Sequence, residues 1–139
     1  MASTTFSGPV TSTNGFIGAV TGNITGNVTG NVTGNVTGNV TGDIFASTQS
    51  LSGAGAVNVT DMFTSLTTSG AAQALTLANG TVGQIKVISH VVDAGSAVLT
   101  PTTKIGFTTV TFTNVGDSVT LIYTSAGWAV IGSYGASVA

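Results

Sequence analysis

A four-residue repeat from Val20 to Ile44 constrains the fold of this chain more than any other feature. Its unit is an aliphatic residue followed by Thr, Gly and Asn, and the unit recurs with almost no variation. Gly, Asn and β-branched residues are poor helix formers, so the pattern predicts extended structure rather than a helix. In an extended chain the aliphatic residues and the glycines share one face, while Thr and Asn share the other. A single strand of this kind buries no core, because each aliphatic side chain has only glycine beside it.

We expect the missing core to come from further copies of the same segment. A solenoid within one chain is a poor fit, because a rung takes about 20 residues and the repeat would complete little more than one turn. Three chains wound round a common axis form the smallest closed arrangement, and closure removes exposed sheet edges. The repeat therefore predicts an intertwined homotrimeric β-stalk whose axis is packed by Val20, Ile24, Val28, Val32, Val36, Val40 and Ile44.

Two other interpretations of the repeat stay open at this point. A flexible linker rich in Gly, Asn and Thr is the first. It does not explain why an aliphatic residue occupies every fourth position, so we favour the ordered oligomer. The second is that the repeat lies in grooves between the subunits of a partner rather than around copies of itself.

The composition limits the classes of partner. Only 4% of the 139 residues are charged, against about 25% in ordinary globular proteins. The net charge is −2, which excludes the basic footprint of a nucleic-acid-binding protein and a polybasic membrane patch. No apolar run approaches the length of about 18 residues that a membrane helix needs. The sequence thus predicts neither a nucleic-acid partner nor a membrane partner, and without cysteine it has no disulfide framework.

We predict an all-β chain in four parts. Residues 1–19 form an N-terminal anchor in which Phe6, Val10, Phe16 and Ile17 are the bulky groups, although a frayed terminus is an alternative. Residues 20–44 form the stalk and residues 45–70 a transition, within which residues 61–66 fit either a helical turn or a strand. Residues 71–139 read as an antiparallel β-sandwich or barrel, because short alternating strands are separated by turn signals such as Asn79-Gly80.

The candidate catalytic residues do not form a convincing site. His90 is the only histidine, and the neighbouring Ser89 points to the opposite face of the same strand. No nucleophile elbow and no phosphate-binding glycine loop follows the usual pattern. The chain has no Glu, so paired carboxylates would have to come from four scattered aspartates. We therefore predict that the protein is not an enzyme and that it has no catalytic residues, cofactor or resident metal.

Two kinds of binding site, one for a metal ion and one for a glycan, compete with structural roles for the same residues. Three copies of His90 or of Asp43 on a threefold axis would suit a metal ion, but exposed or hydrogen-bonded side chains are the favoured interpretation. Trp128, Tyr123 and Tyr134 would suit a glycan platform, but packing in the core or between subunits is favoured for Trp128.

Four segments carry a resemblance to a known class of proteins: Gly83–Ile88, Thr100-Pro101, Thr109–Leu121 and Trp128–Gly132. They resemble a C-terminal domain of virion structural proteins from marine tailed phages, cyanophages especially, whose proteins also contain T-G-N-V repeats. The resemblance implies a head-fibre, capsid-decoration or tail-fibre component without enzymatic activity, and it supplies no functional residues. The chain lacks the large tip domain of long receptor-binding fibres, which favours decoration of the capsid.

These observations predict a homotrimer on the surface of a virion, assembled in the host cytoplasm. Its expected partners are its own copies and the major capsid protein or another virion protein, which it would reinforce as a cement protein or extend as a head fibre. A tail-fibre component that binds a host receptor or glycan is the main alternative. A self-assembling extracellular or ice-binding fibre is a weaker one, because a wound stalk presents no flat array of threonines. The absence of an export signal at the first residues fits release inside a particle.

Overall fold

The computed structural model describes Ser7 and residues 36–139, and within them the protein is all-β. The compact unit Thr41–Ala139 contains every strand of this part of the chain. Its ten strands are β1 (Thr48–Ser52), β2 (Gly55–Val57), β3 (Phe63–Thr67), β4 (Gln73–Leu77), β5 (Ile85–Val92), β6 (Ala97–Pro101), β7 (Val110–Phe112), β8 (Ser118–Thr124), β9 (Gly127–Tyr134) and β10 (Ser137–Val138). The described residues include no helix, hence none that could span a membrane.

The strands form two five-stranded sheets that share one core. The first sheet has the order β1-β3-β5-β8-β9, and the second has the order β10-β7-β6-β4-β2. Successive strands from β1 to β6 alternate between the two sheets, and neighbours within each sheet are parallel. The chain therefore makes three turns of a parallel, two-sheeted coil, after which β7 to β10 add antiparallel strands.

The predicted all-β class is confirmed, but within residues 71–139 the prediction of a purely antiparallel domain is wrong, because β4 and β6 are parallel neighbours and β5 pairs in parallel with β3. The turn signals are where we expected them, yet most of them carry the chain from one sheet to the other. Asn79-Gly80 lies between β4 and β5, which belong to different sheets. By contrast, the turn at residues 125–127 links hydrogen-bonded neighbours, β8 and β9. A turn residue fixes a local bend and not the partner of the next strand, so both sheets are mixed.

The core lies between the sheets and is built by residues that alternate along each strand. Leu75 of β4, Leu99 of β6 and Val110 of β7 stand in one row across the second sheet, and all are fully buried. Leu66, Ile88 and Leu121 face them from the first sheet. Residues 61–66, which the sequence left open, enter β3 at Phe63.

The start of β9 lies against the loop that follows β6. The Trp128 main chain donates to the Thr103 carbonyl at 2.9 Å and accepts from the Ile105 amide at 2.9 Å. Gly127 has a φ of +126°, and a Cβ atom built there would lie 2.7 Å from the Thr103 carbonyl carbon. Both the backbone conformation and the close approach of the loop therefore require glycine.

We expect Gly127→Ala to lower the free energy of unfolding by about 2 kcal/mol or more, because the methyl group adds a clash to an unfavourable φ. Chemical denaturation of the variant measures this loss. Gly132→Ala in the same strand is the control, since nothing lies within 4 Å of its added Cβ. Equal losses in the two variants would show that the contact with Thr103 does not matter.

Candidate functional site

The described end of the repeat presents unburied aliphatic side chains at regular spacing. Val36, Val40 and Ile44 are 62%, 58% and 74% exposed in the single chain, and the adjacent Phe45 is 91% exposed. In a chain with so few charged residues, this is an apolar series that the other described residues leave uncovered. The other predicted axial residues, Val20, Ile24, Val28 and Val32, and the predicted anchor residues, Phe6, Val10, Phe16 and Ile17, lie outside the described residues.

Two glycines of the repeat adopt the same backbone conformation. Gly38 and Gly42 have φ values of +131° and +129°, and the chain bends at both. Such φ values disfavour any residue with a Cβ atom. The segment from Val36 to Ser47 is thus not a straight strand, but its bends recur with the period of the sequence. At these two positions glycine is therefore needed for the conformation of the backbone and not only for space.

His90 is an interior residue of the β-sheet unit. Its ring is fully buried, and Nε2 lies 3.1 Å from the Thr68 hydroxyl, while Nδ1 has no hydrogen-bond partner. The Thr68 hydroxyl in turn accepts from the Ala94 amide at 2.8 Å, so the ring braces the turn after β5. The hydrogen-bonded interpretation of His90 is confirmed, and burial within one chain prevents three copies from meeting around a metal. Asp43 is exposed, and the described residues hold no cluster of three or more metal-ligating side chains.

The Asp117 carboxylate stabilises the loop between β7 and β8 by hydrogen bonds. One carboxylate oxygen, Oδ2, accepts from the amides of Thr113 and Asn114 at 2.7 and 2.9 Å and from the Thr113 hydroxyl at 3.3 Å. Burial alone would raise the pKa of Asp117, but these hydrogen bonds and the nearby His90 ring stabilise the carboxylate, and the pKa falls below its usual value. The ionised carboxylate is thus the form that holds the loop closed.

The lowered pKa of Asp117 predicts loss of stability in acid. The unfolded chain takes up the proton at a higher pH than the folded protein does. The contribution of Asp117 to stability is therefore complete above the unfolded-state pKa of 3.8 and is lost as the pH falls through the lower folded-state pKa.

We expect Asp117→Asn to lower the free energy of unfolding by about 1.5 to 3 kcal/mol at neutral pH and to flatten the stability profile below pH ~4. Urea denaturation at several pH values measures both effects, with the exposed Asp93 as the site of the control variant Asp93→Asn. Parallel acid profiles for the wild type and Asp117→Asn would refute this role.

The aromatic residues divide between interior and surface. Trp128 is fully buried, its indole nitrogen donates to the Ala78 carbonyl at 2.8 Å, and Tyr123 meets its ring edge to face at 5.1 Å. Tyr134 is 76% exposed. The preference for core packing of Trp128 is therefore confirmed, and the three residues do not form a joint glycan platform, because a buried indole offers no face to a sugar.

A buried polar network that we did not predict lies where the loop after β2 enters β3. Lys86 of β5 is fully buried, and its ammonium nitrogen donates to the Asp61 carbonyl at 2.7 Å. The Asn58 side chain is hydrogen-bonded to both the main-chain amide and the carboxylate of Asp61. The Asn58 main-chain amide donates to the Gln49 side chain of β1. The sequence carried a signal for this site: the alternation of β5 places Lys86 on the same face as Ile88 and His90.

The described part of the chain has no pocket, so its candidate features are the exposed apolar series and the buried networks. Compared with known proteins, the chain matches no protein-family model and no curated protein.

Proposed function

We propose that the protein is a homotrimeric structural component of a phage virion that decorates and reinforces the capsid or projects from it. The observation that supports this most directly is the exposed series Val36, Val40 and Ile44, whose spacing of four residues continues the upstream repeat. Apolar side chains in such a series gain stability only when another surface covers them, at about 25 cal/mol for each Å² of apolar area removed from water. Copies of the same segment supply a matching surface, because their aliphatic residues recur with the same period.

The arrangement of the glycines also supports an ordered assembly. A flexible linker has no reason to repeat one backbone conformation with positive φ, whereas Gly38 and Gly42 agree to within two degrees. In the proposed trimer, the glycines bend the chain around the axis and the aliphatic residues fill its interior. Closure by three chains leaves no free strand edge to recruit further molecules.

The phage assignment rests on the resemblance of the C-terminal segments to virion proteins of marine tailed phages. A virion surface also suits the composition, since hydroxyl and amide groups replace charges across most of the sequence. The proposed partners are two further copies of the chain and the major capsid protein or another virion protein. The role requires no catalytic residue, cofactor, nucleic acid or membrane.

Immunogold electron microscopy tests the location on the particle. An antibody raised against residues 45–139 would be applied to intact particles of the phage that encodes the chain. We expect labels over the head. Labels confined to the tail would favour the alternative of a tail fibre, and a glycan array would then identify a receptor. Particles that remain unlabelled, while purified protein on the same grid is labelled, would contradict a surface component of the virion.

A further inference from the structure

The Lys86 amine lies in the protein interior, beside the loop between β2 and β3. Its side chain extends inward from β5, and Nζ donates to the main-chain carbonyl of Asp61 at 2.7 Å. A buried ammonium group is costly unless a carboxylate or several acceptors surround it. A single carbonyl acceptor at this distance is the ordinary partner of a lysine that braces a loop, but it does not explain why this position carries a lysine instead of an apolar residue.

Asp61 binds a second side chain at the same time. The Asn58 carboxamide oxygen accepts from the Asp61 amide at 2.9 Å, and the Asn58 carboxamide nitrogen donates to Asp61 Oδ2 at 2.7 Å. The first of these bonds draws electron density away from the carboxamide carbon. The second places a carboxylate directly on the nitrogen that would leave if that carbon were attacked. Asp61 therefore contacts the Lys86 amine through its main-chain carbonyl and the Asn58 carboxamide through its amide and its carboxylate. Its carboxylate is a group that can carry a proton.

We propose that Lys86 and Asn58 join in an intramolecular amide bond, and that Asp61 both holds the two side chains together and relays the proton. The modification would be autocatalytic and would tie the loop after β2 to strand β5. It is independent of the proposed role in a virion.

The reaction balances without any external reagent. The neutral Lys86 amine attacks the carboxamide carbon of Asn58, and a C–N bond forms. The Asp61 carboxylate accepts a proton from the attacking nitrogen and passes it to the carboxamide nitrogen, after which the bond between that nitrogen and the carbon breaks. Lysine and asparagine side chains become one secondary amide, one molecule of ammonia leaves, and Asp61 returns to its starting form without any change of oxidation state.

Burial prepares Lys86 for this attack. Removal from water is the largest influence and lowers the pKa of Lys86 to about 8, while the charge of Asp61 acts in the opposite direction. Roughly a tenth of the amine is then neutral at pH 7, whereas an exposed lysine with a pKa of about 10.4 is almost wholly protonated. The neutral amine is the nucleophilic form.

Intact-mass spectrometry of the full chain, aged after purification, provides the first readout. The amide bond lowers the mass by about 17 Da, the mass of ammonia. An unchanged mass would overturn the proposal. A loss of about 18 Da, the mass of water, would also overturn it, because water leaves only if a carboxylate such as Asp61 is the group attacked.

Digestion with trypsin after denaturation locates the bond. Lys86 and Lys104 are the only basic residues that trypsin recognises in this chain, and trypsin requires their free, charged side chains. The cross-linked protein should yield fragments 1–104 and 105–139, whereas the unmodified protein is also cut after Lys86. Succinimide formation at Asn79-Gly80 releases ammonia as well, but it leaves Lys86 cleavable. Cleavage after Lys86 in molecules that have lost ammonia would therefore contradict the proposal.

Matched variants distinguish formation of the amide bond from a purely structural role of Lys86. We expect the loss of ammonia in Lys86→Met and Asn58→Ala to fall to the level of succinimide formation at Asn79-Gly80, and Asp61→Asn to slow formation of the amide bond at least tenfold. Lys104→Met is the control, because Lys104 also donates to a main-chain carbonyl, that of Pro101 at 3.1 Å. It should lose ammonia at the wild-type rate. An undiminished loss of ammonia in Lys86→Met would refute the assignment, and the wild-type digest remains decisive even if a variant fails to fold.

Discussion

Trp128→Ala should destabilise the C-terminal unit more than any other single substitution that we consider. The indole is fully buried between the sheets, it contacts the Tyr123 ring, and its nitrogen satisfies the Ala78 carbonyl. Removing it creates a large cavity and leaves that carbonyl without its partner, at an expected cost of about 3 to 5 kcal/mol. Thermal denaturation should show a midpoint lower by roughly 12 °C or more, given about 4 to 8 °C for each kcal/mol in a domain of this size.

Tyr134→Ala is the matched control for Trp128→Ala. Tyr134 lies on the same strand, β9, but is largely exposed, so its loss should change stability by no more than about 0.5 kcal/mol. If Trp128→Ala unfolds at the temperature of this control, the indole does not anchor the core. The opposite pattern, with Tyr134→Ala the more damaging, would show that an aromatic surface and not the interior carries the stability.

The second large effect is expected from charges placed in the repeat. The double variant Val36→Asp/Val40→Asp would bring three carboxylates together at each of two levels of the proposed trimer axis. Their mutual repulsion and their loss of water oppose assembly. We expect the variant to sediment as a monomer of about 13.6 kDa, the mass of one chain.

Thr37→Asp/Thr41→Asp is the control for this experiment, because it adds the same number of charges one residue further along the chain. Its side chains belong to the series that is expected to face water, so its trimer should persist. If both double variants dissociate, general repulsion explains the result and the aliphatic series is not specific. If neither dissociates, the repeat does not supply the trimer contacts.

The amphipathic pattern of the strands was readable from the sequence, whereas their pairing was not. The short alternating strands predicted within residues 71–139 include β5 and β8, whose side chains alternate in the sequence and also in their burial. Pairing depends on contacts between residues far apart in the chain. β1 pairs with β3 across an excursion into the other sheet, and no local signal distinguishes such a coil from a series of hairpins.

For the interior polar groups too, the sequence indicates the position on a strand but not the hydrogen-bond partner. Alternation along β5 places Lys86 and His90 on the face of Ile88, a signal that the sequence contains although the network was not predicted from it. Their partners do not follow from alternation, because Asp61 and Thr68 come from segments more than twenty residues away in sequence. The apolar series that ends at Ile44 is the reverse case, since its period is evident in the sequence, whereas its surroundings in the proposed trimer would come from other chains.

The native mass of the purified protein, measured by sedimentation with and without residues 1–44, tests the central claim most directly. We predict a full-length species near three times 13.6 kDa that becomes a monomer after truncation, while residues 45–139 keep their cooperative unfolding. A trimer that survives truncation would place the contacts in the C-terminal unit. A full-length monomer would contradict the proposed stalk, and the partner that covers Val36, Val40 and Ile44 would then have to be a different protein.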